Sequence, residues 1–341
     1  MIVFDRLGLH RSTFYPRAQL PSLLTHTWLA AAFALVLSSG PLGAAELKVT
    51  VTSKPIHSLI ASVMGATGQP KLLVDGNASP HTYAMKPSDS KAVQDAAVFF
   101  RVSEGLEPFT AKLVKSLPKT VRVVSLQEAP DLTLLDRRQG GTFEAHSDAK
   151  KPGHGHSHAH DHGDEQTGGV DPHVWLDPAN ARKMTNHIAA ILSAANPADA
   201  ATYKANAEAH SATIAALTAE LETELAPVKG RPFVVFHDAY QYFERHFGLT
   251  AAGSITVSPD VQPSARRLTA IRQKIGQLGA TCVFAEPQFK SKLIDTVIEG
   301  TKARPGTLDP EGGLIPAGPD LYSTLMRSLA GGLKDCLARS S

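Results

Sequence analysis

Thiols are almost missing from this chain: its 341 residues carry two cysteines, Cys282 and Cys336. No Cys-x-x-Cys pair and no mixed Cys/His spacing is present, which excludes a thiolate metal site of the zinc-finger kind. There is no phosphate-binding loop and no His-Glu-x-x-His, so nucleotide hydrolysis and the commonest metalloprotease chemistry lack their motifs. A run long enough to span a bilayer, about 18 apolar residues, is also missing.

An excess of charge is the other absence. Arg6, Arg11 and Arg17 precede the ten-residue apolar core "WLAAAFALVL" (Trp28–Leu37), followed by "SSGPLG" and the small residues Ala44 and Ala45. This reads as a secretory signal over residues 1–45, with the mature chain starting at Glu46. No cysteine follows the apolar core, so no lipid anchor is expected. Cleavage removes three Arg and one Asp from totals of 34 Lys+Arg and 32 Asp+Glu, leaving formal neutrality. Nucleic-acid or membrane-surface binding therefore has no electrostatic basis. An exported chain meets oxidising surroundings, so Cys282 and Cys336 are expected to form a disulfide, with two unpaired buried thiols as the alternative.

What the sequence has in abundance is histidine in one place. In "KPGHGHSHAHDHGDEQTGG", His154, His156, His158, His160 and His162 occupy every second position. Imidazoles bind borderline divalent metals. From Ser147 to Gly169, however, no large apolar side chain is available for burial. The composition predicts a flexible loop within residues 136–170 that binds further zinc weakly, as an accessory to a better site elsewhere.

Short β-branched runs alternate with segments of helical composition: "LKVTVTS" (47–53), "KLLVD" (71–75), "AVFFRVS" (97–103) and "VRVVSL" (121–126), then "FVVFHD" (233–238), "GSITVSP" (253–259), "TCVFAEP" (281–287) and "RPGTLD" (304–309). Alternation of this kind predicts parallel α/β sheets, one in each of two lobes. Between them, residues 196–230 open with Asn196 and Pro197 and carry Ile214, Leu217, Leu221 and Leu225 three or four apart. A single helix of roughly 45 Å is expected there, long enough to run down both lobes.

Four metal-binding side chains stand where a strand gives way to a loop: His81 in "SPHTYAM", His173 in "DPHVWLDP", His237 at the end of "FVVFH" and Asp309 in "GTLDP". In open α/β sheets, ligands collect outside the carboxyl ends of strands. Three imidazoles and one carboxylate would make a four-coordinate nitrogen/oxygen site suited to zinc. His57 is read as a helix-start residue outside the site and Glu286 as a hydrogen-bonding residue at a strand end. Asp238 either orients His237 or caps the following helix. His187, His210 and His246 are expected to face solvent.

The blocks "SPHTYAMKPSD", "DPHVWLDP", "VVFHDAYQYFERHFGL", "TCVFAEPQF" and "GTLDP", in this order around a His-rich insertion, resemble the ZnuA-like, zinc-specific solute-binding proteins of ABC importers, a metal-binding group also called cluster A-I or cluster 9. The resemblance runs from "VTSKPIHSLIASVM" to the C-terminus. It implies an α/β architecture with an N-terminal lobe over 46–195, a long rigid linking helix over 196–230, a C-terminal lobe over 231–341, and a metal cleft between the lobes. His81, His173 and His237 match the family's histidine ligands. In some relatives a glutamate precedes the first histidine; here Pro80 stands there, leaving Asp309 or water for the fourth position. The implied protein is a monomeric periplasmic receptor, not an enzyme, that passes Zn²⁺ to a membrane permease driven by a cytoplasmic ATPase. The alternatives are a manganese or iron receptor of the same fold, or a secreted zinc hydrolase.

Overall fold

A computed structural model describes residues 46–138, 142–143, 169–279, 282–289 and 292–338. The leader assigned to 1–45 and the run His154, His156, His158, His160 and His162 lie outside the described residues.

Eight strands form where the β-branched runs predict them. The first sheet contains β1 (Val49–Val51), β2 (Lys71–Leu72), β3 (Val98–Arg101) and β4 (Arg122–Ser125) in the order β2-β1-β3-β4. The second contains β5 (Phe233–His237), β6 (Ala251–Thr256), β7 (Cys282–Ala285) and β8 (Arg304–Thr307) in the order β6-β5-β7-β8. Every pairing between two of these strands is parallel, so consecutive strands within each sheet are joined by crossovers. Those crossovers carry α1 (Lys54–Met64), α2 (Pro87–Gln94), α3 (Thr110–Ser116), α6 (Gln241–Phe247), α7 (Ala265–Leu278) and α8 (Lys292–Ile298). Residues of β1 and β5 are buried throughout because both faces of these inner strands are covered.

The two sheets share one strand order, and in each the first strand has its successor on one side and the third strand on the other. Strand order reverses at β1 and at β5, which opens a crevice at their carboxyl ends. His237 is the last residue of β5, so the topology itself delivers an imidazole to that crevice.

Helices α4 (Pro178–Ala195), α5 (Ala200–Leu225) and α9 (Leu321–Leu337) complete the chain. The stretch read as one helix over 196–230 is α5 with a 3₁₀ turn at either end, Pro197–Asp199 and Ala226–Val228. Pro197 and Pro227, which lack an N–H, sit in those turns. The 26 residues of α5 extend about 39 Å. Tyr203, Ala207, Ser211, Ile214, Leu217, Leu221 and Leu225 line its buried side, which packs on α1, α4, α6 and α9. Each fully buried Leu or Ile of that stripe contributes on the order of 1.5–3 kcal/mol.

One cluster of buried residues draws on both halves, from Val49 of β1 to Leu337 of α9, and each sheet has a smaller cluster of its own. Polar ties reinforce it. Buried Lys54 at the start of α1 donates to the carbonyls of Gly313 and Ile315, at 2.8 and 2.5 Å. Trp175 Nε1 donates to the Pro310 carbonyl at 3.0 Å, and Tyr322 Oη to the Trp175 carbonyl at 2.9 Å. Ser58 Oγ donates to the Pro319 carbonyl and accepts from the Tyr322 amide.

Cys282 in β7 and Cys336 in α9 form the expected disulfide, across a sequence separation of 54. Loop-closure entropy for that separation predicts that the C282A/C336A variant loses about 4 kcal/mol of stability. Guanidinium unfolding of the oxidised wild type and the variant measures this loss, and metal affinity should be unchanged because neither cysteine touches the crevice.

Candidate metal centre

His81 sits on the loop that leaves β2. Its far side is anchored where Asp89 Oδ2 accepts from Tyr83 Oη at 2.8 Å and from the Lys86 amide at 2.9 Å, while Tyr83 lies edge-on to Phe109. His173 follows a short antiparallel pairing in which Asp136 bridges Val170 and the Asp171 amide donates to the Leu135 carbonyl. His237 ends β5. His173 and His237 are each 3% exposed, and His81 is half-buried.

The three rings meet at their Nε2 atoms. His173 Nε2 lies 3.3 Å from His81 Nε2 and 3.3 Å from His237 Nε2. Opposite faces of two rings are held by carboxylates. Asp171 Oδ1 is 2.7 Å from His173 Nδ1, and both Glu286 oxygens are 2.7 Å from His237 Nδ1. A carboxylate accepts, so Nδ1 of each of these rings carries the proton and Nε2 carries the lone pair. Two such lone pairs facing one another at 3.3 Å repel unless a cation lies between them. Nitrogen–metal bonds of 2.0–2.1 Å at a tetrahedral angle place the nitrogens about 3.3–3.4 Å apart. The observed spacing fits a tetrahedral zinc-sized ion.

The carboxylates are themselves secured. Asp171 also accepts from the His173 amide at 3.0 Å and from Gln241 Nε2 at 3.2 Å, and its carbonyl accepts from Tyr242 Oη at 3.0 Å. Burial raises the Asp171 carboxyl to about 6, against the pull of these donors and of Arg138 and Arg137. Burial likewise pushes His81 and His173 well below the ordinary imidazole value, with the neighbouring imidazoles and Arg137 adding to it. For His237 burial is again the largest influence and acts downward. The charge and hydrogen bond of Glu286, with Asp238 and Asp171, outweigh it and leave this imidazole raised.

The fourth face of the cluster opens into a cleft lined by Arg137, Arg138, Asp238, Val257 and Ser258 as well as the three histidines. Among the described residues these three histidines are the group whose ligand atoms lie within 4.8 Å of one another. Asp309 is not part of it, contrary to the expectation from its strand-end position. Its Oδ1 accepts from Gln288 Nε2 and from the amides of Glu311 and Gly312, and its Oδ2 from the amide of Gly313. The turn that follows β8 presents three amides to one carboxylate, which is thereby used as a loop cap.

Other readings resolve as follows. His57 lies within α1, with Nε2 3.1 Å from the Pro70 carbonyl, away from the cluster. Glu286 is the expected hydrogen-bonding residue, and its partner is His237. Asp238 neither orients His237 nor caps a helix but pairs with Arg138. His187, His210 and His246 are half-buried rather than solvent-facing, and His246 Nδ1 lies 2.8 Å from Asp177. The sequence reading missed Asp171 and Arg138. The Asp-Pro-His spacing of Asp171 is a usable signal, because a carboxylate two residues before a histidine can turn back onto its ring; Arg138 carries no such signal.

Comparison with known proteins agrees with this geometry. Residues 49–336 match the family model described as ZnuA, zinc-uptake complex component A, periplasmic. The chain is similar to the high-affinity zinc uptake system protein ZnuA of Brucella suis biovar 1, 46% identical over 327 residues covering 92% of this chain and 98% of the relative. The same-named protein of Paracoccus denitrificans is 38% identical over 302 residues, covering 86% and 93%. Among solved structures, a mutant of the laminin-binding adhesin of Streptococcus agalactiae superposes with a TM-score of 0.68 at 26% identity, covering 85% of this chain and 99% of that one.

Two outcomes follow from the carboxylate–imidazole pairs. Asp171→Asn and Glu286→Gln should each weaken zinc binding about 10–100-fold by releasing the ring they orient, whereas Asp309→Asn should lower thermal stability with little change in affinity. Competition against a chelator, alongside thermal unfolding, separates the two effects. The second outcome concerns protons. Zinc needs His237 neutral at Nε2, and the raised value of this imidazole keeps it protonated to higher pH than usual. Affinity should therefore climb as pH rises through that value and fall below it, while His81 and His173 are already neutral. Calorimetry in buffers of different ionisation enthalpy should find protons released on zinc binding at mildly acid pH, and progressively fewer as pH rises.

Proposed function

Because the chain belongs to the ZnuA family of periplasmic zinc-uptake components, we propose that His81, His173 and His237 capture Zn²⁺ directly, with water in the fourth position. The protein is an extracytoplasmic zinc-binding receptor of an ABC-type uptake system. In this reading residues 1–45 direct export, residues 46–195 and 231–341 form the two lobes, and 196–230 links them. The receptor acts as a monomer and delivers its ion to a membrane permease powered by a cytoplasmic ATPase.

The observation that carries the assignment is the 3.3 Å convergence of Nε2 atoms, with Nδ1 of two rings held by buried carboxylates. Neutral nitrogen donors favour zinc over manganese, which prefers hard oxygen ligands, so the manganese and iron alternatives are not favoured. Hydrolysis is not favoured either. A hydrolase needs a general base beside the metal-bound water; Asp171 and Glu286 face the Nδ1 side of the rings, and Asp238, which lines the cleft, is paired with Arg138. The protein binds and releases its ion unchanged.

His81→Ala, His173→Ala and His237→Ala should each lower zinc affinity by about 100-fold or more, while the wild type binds one zinc tightly in the cleft. Chelator competition on refolded, metal-free protein reads both quantities. Wild-type affinity in His237→Ala would dismiss the assignment.

A further inference from the structure

Asp238 follows His237 directly and lines the same cleft as the three imidazoles. It is a carboxylate within the metal's surroundings that the cluster does not use, and the structure shows what occupies it. Arg138 Nε is 3.1 Å from Asp238 Oδ1 and 3.1 Å from Oδ2, and Nη2 makes a further short contact with Oδ1. The same guanidinium reaches Glu244, with Nη1 3.0 Å from Oε2 and Nη2 2.7 Å from Oε1. Its face lies 3.8 Å above the Phe143 ring. Phe143 is in turn held by its amide to the Ala252 carbonyl, and its own carbonyl accepts from Lys274 Nζ. Arg138 is therefore fixed on three sides, and its side chain is only 14% exposed.

The two acids differ in what they could do if released. Glu244 has a second partner, the Ala251 amide at 2.9 Å, which keeps it in the body of the lobe. For Asp238, Arg138 supplies the side-chain hydrogen bonds. A buried carboxylate deprived of its cation turns to the nearest positive charge, and a metal held by the adjacent residue would supply one.

We propose that Arg138 determines metal specificity by withholding Asp238 from the ion bound at His81, His173 and His237. The inference rests on the assignment of those three residues as the zinc ligands. With Asp238 held, the protein offers three neutral imidazoles. With Asp238 free, the site gains an anionic oxygen donor of the kind that hard cations such as Mn²⁺ prefer. Arg138 is thus a positioning residue that acts through Asp238. Its planar fork spans both carboxylate oxygens, which a lysine ammonium does not match.

The test is the ratio of Mn²⁺ to Zn²⁺ dissociation constants, measured by chelator competition for the wild type, R138M, R138M/D238N and H237A. R138M should narrow the ratio by about tenfold or more, and the double variant should return it to within about threefold of wild type. A ratio unchanged in R138M, or one still shifted in R138M/D238N, overturns the proposal. Circular dichroism identifies folded variants, and a second measurement on the wild type needs no variant at all. In crystals of the zinc-loaded wild type Asp238 should remain on Arg138; an Asp238 oxygen about 2.2 Å from zinc overturns the proposal even if R138M fails to fold. Wild-type zinc affinity in H237A would instead discredit the ligand assignment, so the two failures are distinguishable.

Discussion

A carboxylate placed behind an imidazole decides which of its nitrogens is basic. Asp171 and Glu286 do this for His173 and His237, and the rest of the molecule is arranged to make it possible. Both carboxylates are buried, and each has a donor besides its imidazole. Asp171 has the His173 amide and Gln241, and Glu286 has the His237 amide. Burial of these pairs fixes the two rings with their Nε2 atoms turned toward the cleft. Orientation, tautomer and desolvation are therefore set together, before any ion arrives.

The fold provides this by using its two sheets differently. The second sheet supplies one rigidly held pair, His237 from the end of β5 and Glu286 from just after β7, two neighbouring strands at the point where strand order reverses. The first half of the chain supplies its imidazoles from loops, His81 after β2 and His173 beside the pairing of Asp136 with Val170. Loop residues need fastening, and the ties from Asp89, Tyr242 and Gln241 provide it. A common core beneath both sheets, with Lys54 and Trp175 reaching across it, sets how closely the two sets of imidazoles approach.

Much of this was readable in advance. The strands of the described residues were legible as short extended runs, most plainly the inner β1 and β5, whose burial on both faces demands near-continuous apolar sequence. Three histidines were legible as one group because each stands at or follows the end of an extended segment, where topology collects functional groups, and the structure brings their ring nitrogens together. Asp309 stands at such an end too, yet its carboxylate is used by the Glu311, Gly312 and Gly313 amides; whether an acid faces a cleft or caps a turn depends on local backbone direction, which composition does not encode. Asp238 was misjudged for a related reason. Its partner, Arg138, lies 100 positions away, and pairing at that distance leaves no periodicity to read. His246 appeared solvent-facing on helical spacing alone, although Asp177 from the start of α4 draws it inward.

Trp175 completes the picture from an unexpected side. It is one of two tryptophans in the chain, and the other, Trp28, lies outside the described residues. Among the described residues the indole of Trp175 is the sole one, fully buried, bonded to the Pro310 carbonyl, with its ring centre 5.4 Å from that of His173. Indole emission responds to charge and to energy acceptors within such distances. The fold thus carries its own optical gauge: an ion bound at the imidazole cluster would lie beside this buried fluorophore, so that occupancy could be followed in unlabelled protein, and a coloured ion such as Co²⁺ or Cu²⁺ could be told from a colourless one by how strongly it quenches.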